Sequence, residues 1–243
     1  MTPSTQAGAA PAAHAEAWIE RLRRDRERAA RNQTSELAAV TALVERRCRE
    51  LGAQGFVLTG STARGRRTPV SDLDYHVIGP RPDISDLAAD VDLYGDDPNE
   101  FATKLREGDD FVHWSVRCGC VLFDAGPIER AAELIAESNL WPDDERKLRQ
   151  ARSTIEFAAQ MLASGDYEAA LEQTRGALSL TARWYLLRSR VFPLARDELG
   201  SQLSALGCDQ LAEGLRRSIH ERPTCAALGA SLAAARALVE RHE

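Results

Sequence analysis

Asp72 and Asp74 stand two residues apart in "SDLDYHVIG" (71–79), a segment whose apolar residues begin to alternate at Leu73. On an extended strand, residues two apart share a face, so both carboxylates point one way and Leu73 points the other, into a core. Two carboxylates held a few ångströms apart repel each other unless something cationic lies between them. A hard divalent cation answers that need; Mg2+ prefers oxygen ligands and usually brings substrate phosphates as partners. Upstream, Gly60 and Ser61 follow the apolar run "GFVL" and could open a short helix, where free backbone N–H groups and the Ser61 hydroxyl would face an anion. Arg64, Arg66 and Arg67 add positive charge close by in the chain. These residue types at this spacing describe a site for Mg2+ and a polyphosphate.

The elements that must position these groups can be read from periodicity and punctuation. "TSELAAVTALVERRCRELG" reads as an amphipathic helix, with Thr34 or Ser35 as its cap and Gly52 at its end. "GFVLTG" is a short apolar run bounded by glycines, hence a buried strand. "SDLDYHVIG" is a second strand and "ADVDLYGDD" a third, with Val91, Leu93 and Tyr94 as its apolar positions. Pro98 opens a helix that runs to Arg106. "FVHWSVRCGCVLFDAGPI" begins as helix and ends as a short strand over 121–123. Beyond Pro127 the pattern becomes helical throughout: "PIERAAELIAES", "PDDERKLRQARSTIEFAAQMLASG", "DYEAALEQTRGALSLTARWYLLRSR", then shorter helices over 196–205, 208–220 and 223–241. The expected fold class is α+β, a small mixed β-sheet with flanking helices followed by an all-α helical bundle. The expected domains are a disordered tail over 1–13, an α/β domain over 14–138 and a helical domain over 139–243.

Gly60-Ser61, a spacer of ten residues and Asp72-Leu73-Asp74, set after an apolar strand, resemble the nucleotidyltransferases of the DNA-polymerase-β superfamily. The wording "GSTARG…SDLD" is that of the small bacterial type. The resemblance implies a third carboxylate on the neighbouring strand, for which Asp92 in "VDLY" is the match, as metal ligand, general base or both. Asp90 shares its face by alternation but lies nearer the strand's start, and Asp124 in "LFDAG" reads as a turn residue. The helical half resembles the C-terminal domain of antibiotic adenylyltransferases and, more broadly, HEPN helical bundles. By that likeness Arg183 in "LSLTARWYLL" and Arg196 in "FPLARDELGSQL" would reach nucleotide phosphates; a solvated arginine on a helix face is the other reading of each.

The family's chemistry would then run as follows. Two Mg2+ ions held by Asp72, Asp74 and Asp92 bridge the phosphates of an NTP, by resemblance ATP, while Gly60, Ser61 and Arg64 hold its phosphates. An acceptor hydroxyl lying in a cleft between the domains attacks the α-phosphorus and pyrophosphate leaves. The acceptor is read as a small hydroxylated molecule. Two alternatives stay open: a toxin-type enzyme that modifies a protein or tRNA, and a non-catalytic nucleotide-binding module.

Composition sets the outer bounds. The chain has 243 residues, 44% of them hydrophobic, enough for a substantial core. A net charge of −6 argues against a general nucleic-acid coat, though not against a local basic site. Five cysteines lie scattered without metal-ligand spacing and read as reduced thiols, Cys118 and Cys120 sharing one face of an extended segment. No run of about eighteen apolar residues is present, and "MTPSTQAGAAPAAHAEAW" lacks the basic-then-apolar order of a signal peptide. A cytoplasmic protein is expected. The arginine run 21–31 reads as a solvated helical face, with RNA contact as its sharper alternative. His113-Trp114 could be base and stacking platform but reads better as core, as do Trp184 and Tyr185. Arg236 and His242 have the spacing of a HEPN ribonuclease pair without the polar residue that follows its arginine.

Overall fold

The computed structural model describes residues 9–68, 71–87 and 89–241, with side chains from residue 16 onward. The chain divides into two compact units at Trp141/Pro142.

The first unit is built in the order α1 (Ala9–Arg31), α2 (Ser35–Glu50), β1 (Gly55–Leu58), α3 (Gly60–Ala63), β2 (Leu73–Ile78), β3 (Val91–Asp96), α4 (Pro98–Arg106), α5 (Asp110–Cys118), β4 (Cys120–Asp124) and α6 (Pro127–Ser138). The four strands form one mixed sheet in the order β3-β2-β1-β4. β1 is antiparallel to both of its neighbours, whereas β2 and β3 run parallel. The parallel pair fixes the register that matters here: Asp74 stands opposite Asp92, and the Leu73 amide donates to the Asp90 carbonyl at 2.9 Å.

Alternation divides the sheet's residues between two faces. Phe56, Leu58, Leu73, Tyr75 and Val77 are buried on one. Phe56 and Tyr75 stack there with ring centroids 4.9 Å apart, and the Tyr75 hydroxyl lies 2.7 Å from Oγ1 of Thr41 on α2. The other face carries Val57 and Ile78 into a core shared with Phe101, Leu105, Val112 and Ile128 of α4, α5 and α6. At the start of β2 and β3 this second face turns polar, and there the carboxylates stand.

Caps account for where the helices begin. Thr34 accepts from the Leu37 amide, Asp97 from Asn99, and Asp109 from Phe111 and Val112. α1 begins at Ala9, inside the stretch expected to be a tail; alanine has the highest helix propensity, so "AAPAAHAEA" can extend the helix that Trp18 and Ala29 anchor. β4 is one residue longer at each end than the 121–123 expected. Cys118 and Cys120 do not share an extended face, because Cys118 closes α5, Cys120 opens β4 and Gly119 makes the break. All five cysteines are free thiols.

The second unit consists of α7 (Asp144–Ser164), α8 (Tyr167–Arg188), α9 (Arg196–Ala205), α10 (Asp209–His220) and α11 (Cys225–Glu240). Leu148, Ile155, Leu178, Trp184, Leu199 and Leu215 are among the residues of its core. Trp184 is fully buried and meets Tyr185 edge-on at 6.2 Å, so this aromatic pair is packing. Among the described residues no helix is long and apolar enough to cross a membrane.

Candidate active site

Asp72, Asp74 and Asp92 converge. Each offers a carboxylate oxygen, and these oxygens lie within 4.8 Å of one another. The cause is local and simple. β2 places Asp72 and Asp74 on one face, and the parallel register sets Asp92 of β3 directly beside Asp74. Leu73 between the pair is fully buried and pins the strand. Desolvation, then the charges of Asp72 and Asp90 and a hydrogen bond with Asp72, raise the Asp92 pKa above its ordinary 3.8. Three carboxylates crowded this way form a donor set of hard oxygens that suits Mg2+.

Gly60 lies against this cluster. It opens α3 directly after β1 with φ +63°, a conformation that favours glycine. The Thr59 amide donates to the Asp74 carbonyl at 2.8 Å, which clamps the start of α3 to β2. A Cβ on Gly60 would sit 2.8 Å from Cγ of Asp74. The missing side chain is therefore the space that the Asp74 carboxylate occupies. Ser61 follows, half-buried, and Arg64 is the half-buried residue that ends α3. Arg67 donates to the Ser71 carbonyl at 2.8 Å, and the Thr68 amide donates to the Ser71 hydroxyl at 2.9 Å, so this arginine braces the connection into β2.

Not every residue singled out from sequence belongs to this cluster. Asp124 accepts from the Ile128 and Glu129 amides at 3.1 and 2.9 Å, holding the first turn of α6. His113 is buried, bonded through Nε2 to the Leu105 carbonyl at 3.1 Å, and Trp114 is buried beside it. Arg183 and Arg196 belong to the second unit; the Arg183 guanidinium donates to the Leu194 carbonyl at 3.3 Å, and Arg196 is exposed at the first turn of α9. Arg236 pairs with Glu156 at 2.8 Å, and His242 lies outside the described residues.

The arginine run is not simply solvated, which corrects the expectation from its composition. Asp25 is buried, accepts from the Val121 amide at 3.1 Å and pairs with Arg28 at 3.1 Å. Arg28 donates to Cys120 Sγ at 3.0 Å and to the Cys118 carbonyl at 3.2 Å, and Arg21 donates to the Val116 carbonyl. Two of these arginines thus dock α1 onto the junction of α5 and β4.

Two further features of the polar face depart from or add to what the sequence led us to expect. Tyr94, expected among the apolar positions of β3, is instead 49% exposed and lies on the face of Asp92. Its ring packs on Phe111 at 5.0 Å, and its hydroxyl is pushed up by partial burial and by the charges of Asp92, Asp74 and Asp72. One step further along both strands, buried His76 places Nδ1 2.9 Å from Ser115 Oγ and Nε2 2.9 Å from Asp96 Oδ2. Lys104 donates to Asp96 at 2.6 Å. The spacing held the signal: alternation from Asp72 and Asp74 reaches His76, and from Asp92 it reaches Tyr94 and Asp96.

Residues 40–110 match the nucleotidyltransferase domain family. No curated relative matches the chain. A solved structure similar to it is that of a nucleotidyltransferase-like protein from Exiguobacterium sibiricum 255-15, 17% identical, with 86% of this chain and 75% of that chain covered and a TM-score of 0.41. The matched span runs from α2 to the start of α5 and holds Gly60, Ser61, Arg64, Asp72, Asp74 and Asp92, so the acidic cluster and the turn beside it lie within the part of this chain that matches a nucleotidyltransferase domain.

Proposed function

We propose that the protein transfers a nucleotidyl group, in this reading AMP from ATP, to a hydroxyl of a small-molecule acceptor and releases pyrophosphate. The observation that carries this is the convergence of Asp72, Asp74 and Asp92 within 4.8 Å, beside a Gly60-Ser61 turn at the end of a buried strand. Those three carboxylates would hold Mg2+, two ions in this reading, and the metal supplies neutralisation of phosphate charge and polarisation of the α-phosphoryl group.

The chain's own groups do the rest. The Gly60 and Ser61 amides and the Ser61 hydroxyl take the outer phosphates, with Arg64 adding charge, and so set the α-phosphorus in line with the acceptor. Asp92, whose pKa is raised, accepts the proton of the acceptor hydroxyl. The acceptor oxygen bonds to the α-phosphorus, the bond from that phosphorus to the bridging oxygen breaks, and the electron pair leaves with pyrophosphate. By the sequence resemblance of "LSLTARWYLL" and "FPLARDELGSQL" to antibiotic adenylyltransferases, Arg183 and Arg196 would be further phosphate ligands.

Incubation with Mg2+, mixed NTPs and a metabolite extract, read by mass spectrometry, tests this proposal. The expected product is an extract component heavier by one nucleotidyl group, formed with equimolar pyrophosphate. Nucleotide binding without any pyrophosphate release, across small-molecule, protein and tRNA acceptors, would instead make the protein a binding module.

A further inference from the structure

A second feature of the first unit carries charge of the opposite sign. Arg21, Arg24, Arg28 and Arg31 recur along α1 at steps of three and four residues. At 100° per residue they fall within an arc of about 80°, a stripe about 15 Å long. This stripe, with Arg117 of α5 and the Gly119 backbone, lines a cleft of about 370 Å³. That size lies at the small-ligand end of the usual range for binding pockets.

The charges in the cleft do not balance. Five guanidinium groups face two carboxylates, Asp25 and Glu27. Asp25 is spent on Arg21 and Arg28, and Glu27 is held by Arg23 on its other side. Arg24 and Arg31 are exposed, and no hydrogen bond or ion pair within the described residues engages either. Burial, together with the neighbouring charges of Arg28 and Arg24, lowers the Arg21 pKa despite Asp25. Docking of α1 explains Arg21 and Arg28 but leaves Arg31 without an ion pair among the described residues, and Arg24 with only the longer-range charge of Glu20 one turn away.

We propose that this cleft is a second anion site, distinct from the acidic cluster, which binds a short chain of phosphates, free or as the tail of a nucleotide. Arginine forks pair with phosphate oxygens two at a time, and several converging forks favour a ligand of several charges over a single carboxylate. Among the described residues none that lines the cleft is aromatic, so recognition falls on the phosphates and not on a base. A long nucleic-acid backbone fits less well, since the chain's net charge of −6 opposes its approach and the cleft is short. The proposal stands apart from the transfer reaction and holds whether or not that reaction is correct.

Titration calorimetry with inorganic triphosphate in EDTA tests it, because EDTA keeps divalent metal from the acidic cluster. Saturable binding that weakens with salt is expected. Arg24→Gln and Arg31→Gln should each weaken it about tenfold, the worth of a lost charge-assisted hydrogen bond, whereas Asp72→Asn should leave it unchanged. Both arginines are exposed, so each single variant should fold, which circular dichroism checks. ATP binding as tightly as triphosphate identifies the nucleotide tail as the source; triphosphate binding better identifies the free chain. Absence of saturable binding, binding that survives both arginine variants, or tighter binding of a uridine octanucleotide at equal phosphate concentration overturns the proposal.

Discussion

Asp74 occupies the space that a side chain on Gly60 would fill. A Cβ there would stand 2.8 Å from Asp74 Cγ, and Gly60 already holds φ +63°. Gly60→Ala should therefore act in two ways. Left-handed backbone costs a non-glycine residue about 1–2 kcal/mol, a loss readable in denaturant unfolding. The displaced Asp74 carboxylate should cost activity beyond that, about a hundredfold or more in kcat/KM, equivalent to ~2.7 kcal/mol. Full activity in Gly60→Ala would mean that the Asp74 carboxylate can move without consequence, against its proposed role as a ligand.

Asp72→Ala and Asp74→Ala should each abolish pyrophosphate release by removing a metal ligand, a loss on the order of several kcal/mol of transition-state stabilisation. The fold should survive, because both side chains are only half-buried and Leu73 between them still fills the core. Circular dichroism with a pyrophosphate assay checks the pair of outcomes, and near-normal turnover in either variant would move the metal site elsewhere.

The acidic cluster was legible in sequence because its determinants are local. The alternation around Leu73 needs only the period of a strand to be recognised, whereas Asp92 was reached through the family resemblance carried by Gly60-Ser61 and Asp72-Leu73-Asp74. The parallel pairing that sets Asp74 beside Asp92 was not readable from periodicity, which does not give strand order. Arg28 escaped for a different reason. Its partners Cys118 and Cys120 lie 90 and 92 residues away, and a charged run on a helix looks solvated until that distant junction is folded against it. Tyr94 was misread because an aromatic residue on a strand is ordinarily buried. Here β3 is the edge strand, and its polar face stays open at Tyr94 although Asp96 further along is buried.

Ser61→Ala should raise the KM for NTP more than it lowers kcat. One hydrogen bond to a charged phosphate is worth about 1.5–3 kcal/mol, and binding lost equally in ground and transition states appears in KM. Calorimetric nucleotide affinity unchanged by the substitution would remove Ser61 from the phosphate site.

The His76–Asp96–Lys104 group should be structural, with its own pH signature. Burial pushes the Asp96 carboxyl up, but hydrogen bonds from His76 and Lys104 and their charges outweigh it and leave its pKa below the usual value. A carboxyl with a depressed folded pKa contributes stability above its unfolded pKa and loses it as pH falls through the folded one. Asp96→Ala should thus remove part of the acid sensitivity and cost about 3–5 kcal/mol, as expected when one partner of a buried pair is removed. Unfolding midpoints across acidic pH check this, and a loss of turnover without a loss of stability would show that the group acts in catalysis instead.

Asp92 gives the opposite sign. Its pKa is raised above 3.8 by desolvation and by Asp72 and Asp90, so the folded state holds the proton more tightly than the unfolded chain. That contribution is fully present below the unfolded pKa and is lost as pH rises through the folded one. In EDTA the wild type should therefore lose stability across this window, and Asp92→Asn, which cannot ionise, should lose less and be no less stable above it. Added Mg2+ should stabilise the wild type by mass action, increasingly as Asp92 deprotonates. The same substitution should lower turnover by about 10²–10⁴-fold, the usual contribution of a positioned base. Asp124→Asn should do neither, since that carboxylate is engaged by the amides of α6. If Asp92→Asn keeps its activity and its response to Mg2+, the carboxylate beside Asp74 is neither ligand nor base, and the third member of the cluster must be sought elsewhere.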